Sequence, residues 1–428
     1  MEQYLKLFKT SADYDAASEK PLVSHIVEDV EVIMPENIDY DNEYLTFVSL
    51  GDGTFKFSGN SVDYSIDNGK NWTTLESNTN SPTIAAGKKI MWKANITPPS
   101  SESYPRYGAG VFSSTNNFNV EGNPMSLLFG DNFSGQTSLA SKGVAFRSLF
   151  NGCTKLNSAE NLSLLATTLS ECCYYDMFYG CSSLTTPPKV LPAETVSDYG
   201  YGGMFENCSS LNEMPTIMAT SVGSYAMSGM FENCTNLREA KDLLVTNFVG
   251  TYHTFSFQMM FGGCSSLTKA PKLPATKLAY CCYNWMFSDC TSLVEPPELP
   301  ATQLDRSCYA NMFQGCTSLA TAPTLPATTV PAGAYNAMFK NCKSLEIALD
   351  LPARSVTGTY VYTYQEMFSG CSKLRYIKCL ATNINANDCF TDWVKGVASS
   401  GTFVKAASMN NWPRGNNGIP TNWTVENA

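Results

Sequence analysis

Histidine is nearly absent from this sequence, with only His25 and His253 among 428 residues. A Ser-His-Asp triad, a Cys-His pair and a multi-histidine metal site all need histidine beside another reactive group. This scarcity weakens every mechanism of that kind. We therefore predict a protein that is not an enzyme, with no catalytic residues, no metal site and no cofactor.

Charge and long apolar runs are also scarce. Charged residues make up 15% of the chain, the net charge is −10, and no Lys/Arg run occurs. These features argue against a nucleic-acid partner. No stretch reaches the ~20 apolar residues of a membrane span, and the polar first 20 residues do not resemble a signal peptide.

The dominant feature is an internal repeat, in which Phe is followed three residues later by Cys nine times. Successive cysteines are 26 to 30 residues apart, which indicates a solenoid of stacked units. The repeat cysteines are Cys153, Cys181, Cys208, Cys234, Cys264, Cys290, Cys316, Cys342 and Cys371.

One unit, residues 309–319 "YANMFQGCTSL", shows the pattern of apolar positions. Tyr309, Met312, Phe313, Cys316 and Leu319 follow steps of three and four, which predict one buried face of a short helical or 3₁₀ turn. The following "LPAT" segment contains proline, so we expect a short extended stretch that turns at Leu-Pro.

The row of cysteines has three possible roles. A zinc site needs four converging ligands, usually with CxxC spacing, which is absent here. Disulfides between rungs are less easily dismissed, but in-register side chains keep Cβ atoms ~4.8 Å apart, beyond the ~3.8 Å of a disulfide. We expect a reduced, buried, structural ladder. Whether the other cysteines form disulfides is left open.

The outward positions of the repeat vary between copies. Two and five residues after the framework Leu, they include the candidate ligand residues Lys269, Lys272, Glu295, Glu298, Glu239 and Tyr376. They form either a solvated face without a ligand or a long, shallow contact surface for a protein or glycan.

The segments outside the repeat suggest four regions. We predict a leader or attachment arm over 1–42, a small antiparallel β-sandwich (Ig-like) over 43–125 that caps the solenoid, the solenoid over 126–380, and a C-terminal cap over 381–428 with a buried Trp412.

One motif in the second region, "SIDNGKNW" (Ser65 to Trp72), matches the Asp-box of sialidase propellers. It occurs once, whereas propellers repeat it. We interpret it as a structural hairpin turn, because no pair of carboxylates is recognisable for glycoside hydrolysis. A glycan-active enzyme is the less favoured alternative.

The "MFxxCxSL…LPAT" unit resembles the BspA-like leucine-rich repeats of gut and oral Bacteroidetes, over residues 126 to 380. The resemblance implies a mostly β fold with short helical or 3₁₀ turns, built as a right-handed leucine-rich-repeat solenoid of about nine repeats. It also implies a non-catalytic adhesion protein at the cell surface or outside the cell, with a protein or glycan ligand on a host or neighbouring cell.

A second resemblance concerns residues 1 to about 42, which are similar in style to N-terminal segments of Bacteroides phage and prophage structural proteins. It implies an alternative function, host recognition as part of a phage or prophage tail. The sequence predicts no oligomeric state.

Overall fold

The computed structural model describes residues 40–100, 107–250, 254–348, 350–353, 362–384 and 388–428. Most of the predicted leader, and both histidines, lie outside the described residues. Helix is limited in the described ranges to α1 (Ser126–Phe129) and two 3₁₀ turns (Tyr40–Asn42 and Gly130–Asn132). The strands are β1 Leu45–Ser49, β2 Phe55–Gly59, β3 Val62–Ser65, β4 Thr73–Leu75, β5 Lys89–Lys93, β6 Gly110–Ser114, β7 Phe118–Gly122, β8 Leu156–Leu162, β9 Val190–Leu191, β10 Thr195–Val196, β11 Thr216–Ile217, β12 Ser221–Val222, β13 Asn247–Phe248, β14 Tyr376–Cys379, β15 Thr402–Lys405 and β16 Thr424–Asn427.

The first seven strands form two sheets with a shared aromatic core. One sheet has the order β4-β3-β5-β1-β7-β8 and the other pairs β2 with β6. Phe47 of β1 lies 5.3 Å from Phe55 of β2 and 4.8 Å from Phe112 of β6, measured between ring centroids. Because these rings come from both sheets, burying them holds the sheets together.

The larger sheet runs directly into the solenoid. Its strands pair antiparallel up to β7, but β7 pairs parallel with β8, which belongs to the first repeat. Hydrogen bonding is therefore continuous across residue 125, where the sequence predicts a domain boundary. That boundary stays a prediction.

Within each repeat, the predicted helical return is a run of turns. Alternate N–H groups donate to the next repeat, as Phe313 does to the Met338 carbonyl, while those between donate three residues back, as Met312 does to Tyr309. In a helix, all these N–H groups would donate to carbonyls four residues earlier in the same repeat. The run of turns instead satisfies half of them between repeats, so each repeat forms part of its neighbour's backbone structure.

This pattern requires a left-handed residue at every fourth position. In the seventh repeat, Ser307, Asn311 and Gly315 have φ of 52°, 57° and 75°. The framework Phe of each repeat, meaning the Phe of its Phe–Cys pair, fixes the numbering: the left-handed positions lie six and two residues before it and two residues after it. This geometry places apolar residues at the same steps of three and four as a helix does. For that reason the sequence pattern suggested helical turns.

The predicted inward residues are confirmed as core. Met312, Phe313, Cys316 and Leu319 are fully buried, and Tyr309 is 2% exposed. The nine framework Phe rings stack along the solenoid at 5.2 to 5.8 Å, with interplanar angles of 9° or less. Each contact is worth about 1 kcal/mol beyond the area that it buries.

The stack of turns continues past residue 380, where the sequence expected the repeat to end. The Phe368 and Gly370 N–H groups donate to the carbonyls of Trp393 and Lys395, and β14, β15 and β16 pair in parallel. This unit escapes the motif because Trp393 occupies the Met position. Trp393 is also the fully buried tryptophan there, whereas Trp412, predicted to be buried, is only partly so.

The observed architecture confirms the predicted fold class at the level of the whole repeat array. It is a mostly β solenoid of about nine Phe–Cys repeats with very little helix.

Candidate interaction surface

The run of turns also forms the outside of the solenoid. We call the surface formed by the left-handed positions of the repeats the outer face. Repeats are numbered from the first framework Phe, so repeats 2, 3 and 4 contain Phe178, Phe205 and Phe231.

Three aromatic residues form a stacked row on the outer face, six residues before the framework Phe. Tyr199 and Tyr225 have ring centroids 4.9 Å apart and planes 4° apart, and Tyr225 and Phe255 are separated by 5.0 Å and 12°. All three are partly exposed and have positive φ, from 35° to 56°. We call these three residues the aromatic ridge.

Three carboxylates also lie on the outer face, in repeats 2, 3 and 4, whereas the ridge lies in repeats 3, 4 and 5. Asp176, Glu206 and Glu232 are each partly buried. Burial is the main cause that raises the pKa of Asp176 to about 6, and burial together with the charges of Glu232 and Asp176 raises that of Glu206 to about 7. The pKa of Glu232 is also raised by burial. We call these three residues the carboxylate row.

Glycines lie beneath the carboxylate row. A Cβ atom at Gly203 would lie 2.2 Å from Asp176 Oδ1, and one at Gly229 would lie 3.3 Å from both Glu206 Oε2 and Glu232 Oε2. Both glycines also have positive φ, near 60°. The carboxylates therefore lie directly over bare backbone, in space that a side chain at either glycine would fill.

A cation lies at one end of the carboxylate row. The Arg147 guanidinium lies 4.7 Å from the centroid of the Tyr175 ring, and its charge partly offsets the effect of burial on the pKa of Asp176. At Glu206, the neighbouring Asn207 side chain donates a 3.3 Å hydrogen bond to Oε1.

The residues predicted as a ligand surface lie on the strand side of the repeat. Glu239, Lys269 and Glu295 occupy one row, joined by parallel bridges, and Tyr376 lies in the same row several repeats further along. Lys269 Nζ lies 3.8 Å from Glu295 Oε2. Its charge is thus matched within the row, and an exposed pair of this kind contributes little to stability.

The remaining predicted residues lie close by. Lys272 Nζ lies 3.5 Å from Asp242 Oδ2 of the preceding repeat, and Glu298 is exposed. The predicted patches of opposite sign are therefore linked by the ion pair of Lys269 with Glu295. A ligand role for these six residues stays a prediction.

The sequence analysis missed the aromatic ridge and the carboxylate row. It assigned the segment before the framework Phe to a helix and looked for variation only after the framework Leu. A signal becomes visible when the repeats are aligned with one another. Aromatic residues then recur six positions before the framework Phe in three successive repeats, and Glu206 and Glu232 recur one position after it.

The repeat cysteines belong to the core. All sixteen cysteines of the chain are buried and free of disulfides in the structure. In eight repeats the thiol donates to the Phe carbonyl of the preceding repeat at 2.9 to 3.2 Å, as Cys290 does to Phe261. Burial raises the pKa of these thiols, to about 12 at Cys208, so they are poor nucleophiles.

The Asp-box motif forms a tight hairpin turn. Asp67 accepts hydrogen bonds from the Asn71 amide and side chain, at 2.9 and 2.7 Å, and from Ser65 Oγ at 2.8 Å. These bonds lower its pKa to about 2. Both carboxylate oxygens are thus engaged in holding the turn, which agrees with the structural interpretation.

The described residues contain no group of three or more His, Cys, Asp or Glu placed to hold a metal ion. None of the helices in the described ranges has the length and apolar character needed to cross a membrane.

Comparison with known proteins places the repeats in a family. The model of the BspA type leucine rich repeat region matches residues 146–258, 173–294, 252–375 and 306–393, which together exceed half of the chain. A crystal structure of a leucine-rich repeat protein from Bacteroides ovatus is similar at 19% identity and a TM-score of 0.30, over 66% of this chain and 77% of that one. No curated protein matches. The chain belongs to the BspA-type leucine-rich-repeat family.

Proposed function

We propose that this protein is a non-catalytic binding protein of the cell surface, with an adhesion role, and that it recognises a protein or glycan through the outer face of its solenoid. The observation that carries the proposal is the presence of bulky, partly exposed side chains at left-handed backbone positions of that face.

The contrast between two sets of left-handed positions makes the argument. Two residues after the framework Phe, every repeat has Gly, Asn or Asp, the residues that tolerate this conformation. Six residues before it, Tyr199, Tyr225 and Phe255 occupy the same conformation. Left-handed backbone costs roughly 1–2 kcal/mol for an ordinary residue, so stability alone would favour glycine or asparagine there.

Part of this cost is offset by stacking within the aromatic ridge, at about 1 kcal/mol per pair. The rings nevertheless remain partly exposed and do not contribute their full apolar area to the core. Tyrosine is also among the residues that contribute most to binding interfaces. A contact role explains why these side chains are kept where glycine would suffice.

The proposed adhesion role and surface location agree with the family, whose members are generally surface-associated. The strand-side residues Lys269, Lys272, Glu295, Glu298, Glu239 and Tyr376 are an alternative contact surface within the same function. The two surfaces can be distinguished because substitutions in each would weaken binding only if that surface contacts the ligand.

The test is a binding screen of the purified chain against immobilised glycans and extracellular proteins. A Tyr199→Asn/Tyr225→Asn double variant should lose binding, because asparagine keeps the backbone conformation and removes the rings. Tyr362→Asn is the matched control, since Tyr362 occupies the same column and is 39% exposed. It should bind normally.

A Lys269→Glu/Lys272→Glu variant tests the strand side. Loss of binding in this variant alone would move the contact surface to that side. Absence of binding by the wild-type chain to every member of the panel would contradict the proposed function.

A further inference from the structure

The outer face of repeats 2 to 5 combines two features. The aromatic ridge spans repeats 3 to 5, and the carboxylate row spans repeats 2 to 4. Resting on the proposed function, we infer that this face binds an extended, basic segment of a partner protein, with its lysine or arginine side chains against the carboxylate row.

The sign of the partner follows from the electrostatics of the face. Glu206 lies close enough to Glu232 and Asp176 for their charges to act on it, and all three carboxylates are partly removed from water. Within the described part of the chain, the cation whose charge acts on the row is Arg147, and it acts on Asp176 at one end. A cationic partner would relieve the repulsion along the rest of the row, and the net charge of −10 would favour its approach.

A single metal ion does not fit this arrangement. The three carboxylates come from three successive repeats, and in the described ranges no such group converges to hold a metal. Charges spread along a row instead match several amines carried on one chain. Each lysine or arginine supplies one charge on a long, flexible stem.

The geometry of the ridge favours a polypeptide over a sugar. Tyr225 is covered on both faces, by Tyr199 at 4.9 Å and by Phe255 at 5.0 Å, with nearly parallel planes. A sugar ring binds by stacking on an open aromatic face, and the central ring has none. The ring edges that remain form an apolar rail along which the methylene stem of a lysine can pack.

The spacing along the face also suits an extended chain. The ridge advances about 5 Å per repeat, and side chains on one side of an extended segment recur every ~6.6–6.8 Å. Flexible lysine stems can absorb this difference over three repeats.

The inference is tested with the full chain and two fluorescein-labelled peptides, (Lys-Ser)₆ and (Glu-Ser)₆, by fluorescence anisotropy. The decisive variant is Glu206→Gln/Glu232→Gln. Its matched control, Glu76→Gln/Glu426→Gln, removes the same two charges from exposed positions outside both candidate contact surfaces.

We expect the wild-type chain to bind (Lys-Ser)₆ and not (Glu-Ser)₆. The Glu206/Glu232 double variant should bind the lysine peptide at least tenfold more weakly, and the control should change by less than twofold. Affinity should also rise between pH 5.5 and 8 in the wild type and change less in the Glu206/Glu232 variant, because the row must ionise to attract lysine. A urea midpoint of the Glu206/Glu232 variant at or above that of the control would show that loss of folding is not the cause.

Equal weakening in both double variants would show that only net charge is recognised and would overturn the inference. So would unchanged affinity in the Glu206/Glu232 variant. If a glycan binds in a manner that depends on Tyr199 and Tyr225 while the lysine peptide does not, the proposed function stands and the basic partner is wrong. If no ligand binds at all, both fail.

Discussion

Replacing Glu206 by glutamine should make stability less dependent on pH. The side chain keeps its shape, and its oxygen can still accept the bond from Asn207. What disappears is the carboxylate whose pKa rises from an ordinary 4.5 to about 7 in the folded chain, chiefly because burial disfavours its charge.

The sign follows from proton linkage. A raised folded-state pKa means that the native chain holds this proton more tightly than the unfolded chain does. The resulting stabilisation is fully present below about pH 4.5 and is lost as the pH rises through about 7. Wild-type stability should therefore fall between pH 5 and 8 through this group.

The magnitude must be reduced for solvent exposure. A shift of this size corresponds to roughly 3 kcal/mol if it is taken at face value. Glu206 is only about half buried, and solvent screening brings the expected effect down to about 1 kcal/mol. Glu206→Gln should thus be more stable than the wild type by about 1 kcal/mol at pH 8, and nearly equal to it at pH 4.5.

The assay is urea unfolding followed by tryptophan fluorescence at both pH values, with Glu298→Gln as the exposed control. The reasoning is refuted if Glu206→Gln changes the free energy of unfolding equally at both pH values, or if its advantage appears at low pH.

Four further predictions concern the scaffold. Cys290→Ala should destabilise the chain by about 1–2 kcal/mol in urea unfolding, because it leaves a small cavity and removes the thiol donor to Phe261. All sixteen thiols should react with a thiol reagent in denaturant without reductant, and few or none should react in the native state. Phe287→Ala, in the middle of the ring stack, should cost about 3–5 kcal/mol in the same assay, and a loss below 1 kcal/mol would contradict the stacking argument. Asp67→Ala should lower the melting temperature at pH 7, because Asn71 loses its acceptor, and the difference from wild type should shrink as acid protonates Asp67 between about pH 4 and 2.

The core residues could be predicted from the sequence because the same apolar pattern recurs in each repeat. Nine copies of Phe and Cys at fixed offsets, eight of them with Met before the Phe, indicate that these side chains face inward, and the structure buries Phe313 and Cys316 completely. Periodicity reports which side chains share a face, and the physics of burial is the same whichever backbone supplies that face.

The backbone between those side chains was not readable in the same way. Half of its N–H groups donate to the next repeat, so its conformation depends on a neighbour some 26 residues away. A prediction made from one repeat lacks that partner and turns to the nearest local structure with similar spacing, a helix. The restriction to Gly, Asn and Asp after the framework Phe was the available clue to left-handed turns.

The candidate surface was missed for a related reason. Tyr199, Tyr225 and Phe255 become one feature only when the repeats are stacked, and the pairing of Glu206 with Glu232 depends on Gly229 between them. In the sequence these residues are single substitutions scattered over 26-residue intervals. They become neighbours when the repeats stack.

The stack of framework Phe rings has a mechanical consequence. Each inner ring stacks on the ring before it and on the ring after it, and the interlocking backbone bonds likewise join neighbouring repeats. Tension applied along the chain would therefore peel off one repeat at a time, and each 26-residue repeat would release up to about 90 Å of extended chain. A protein built in this way lengthens stepwise under load, so that a tether under shear would yield gradually before it parts.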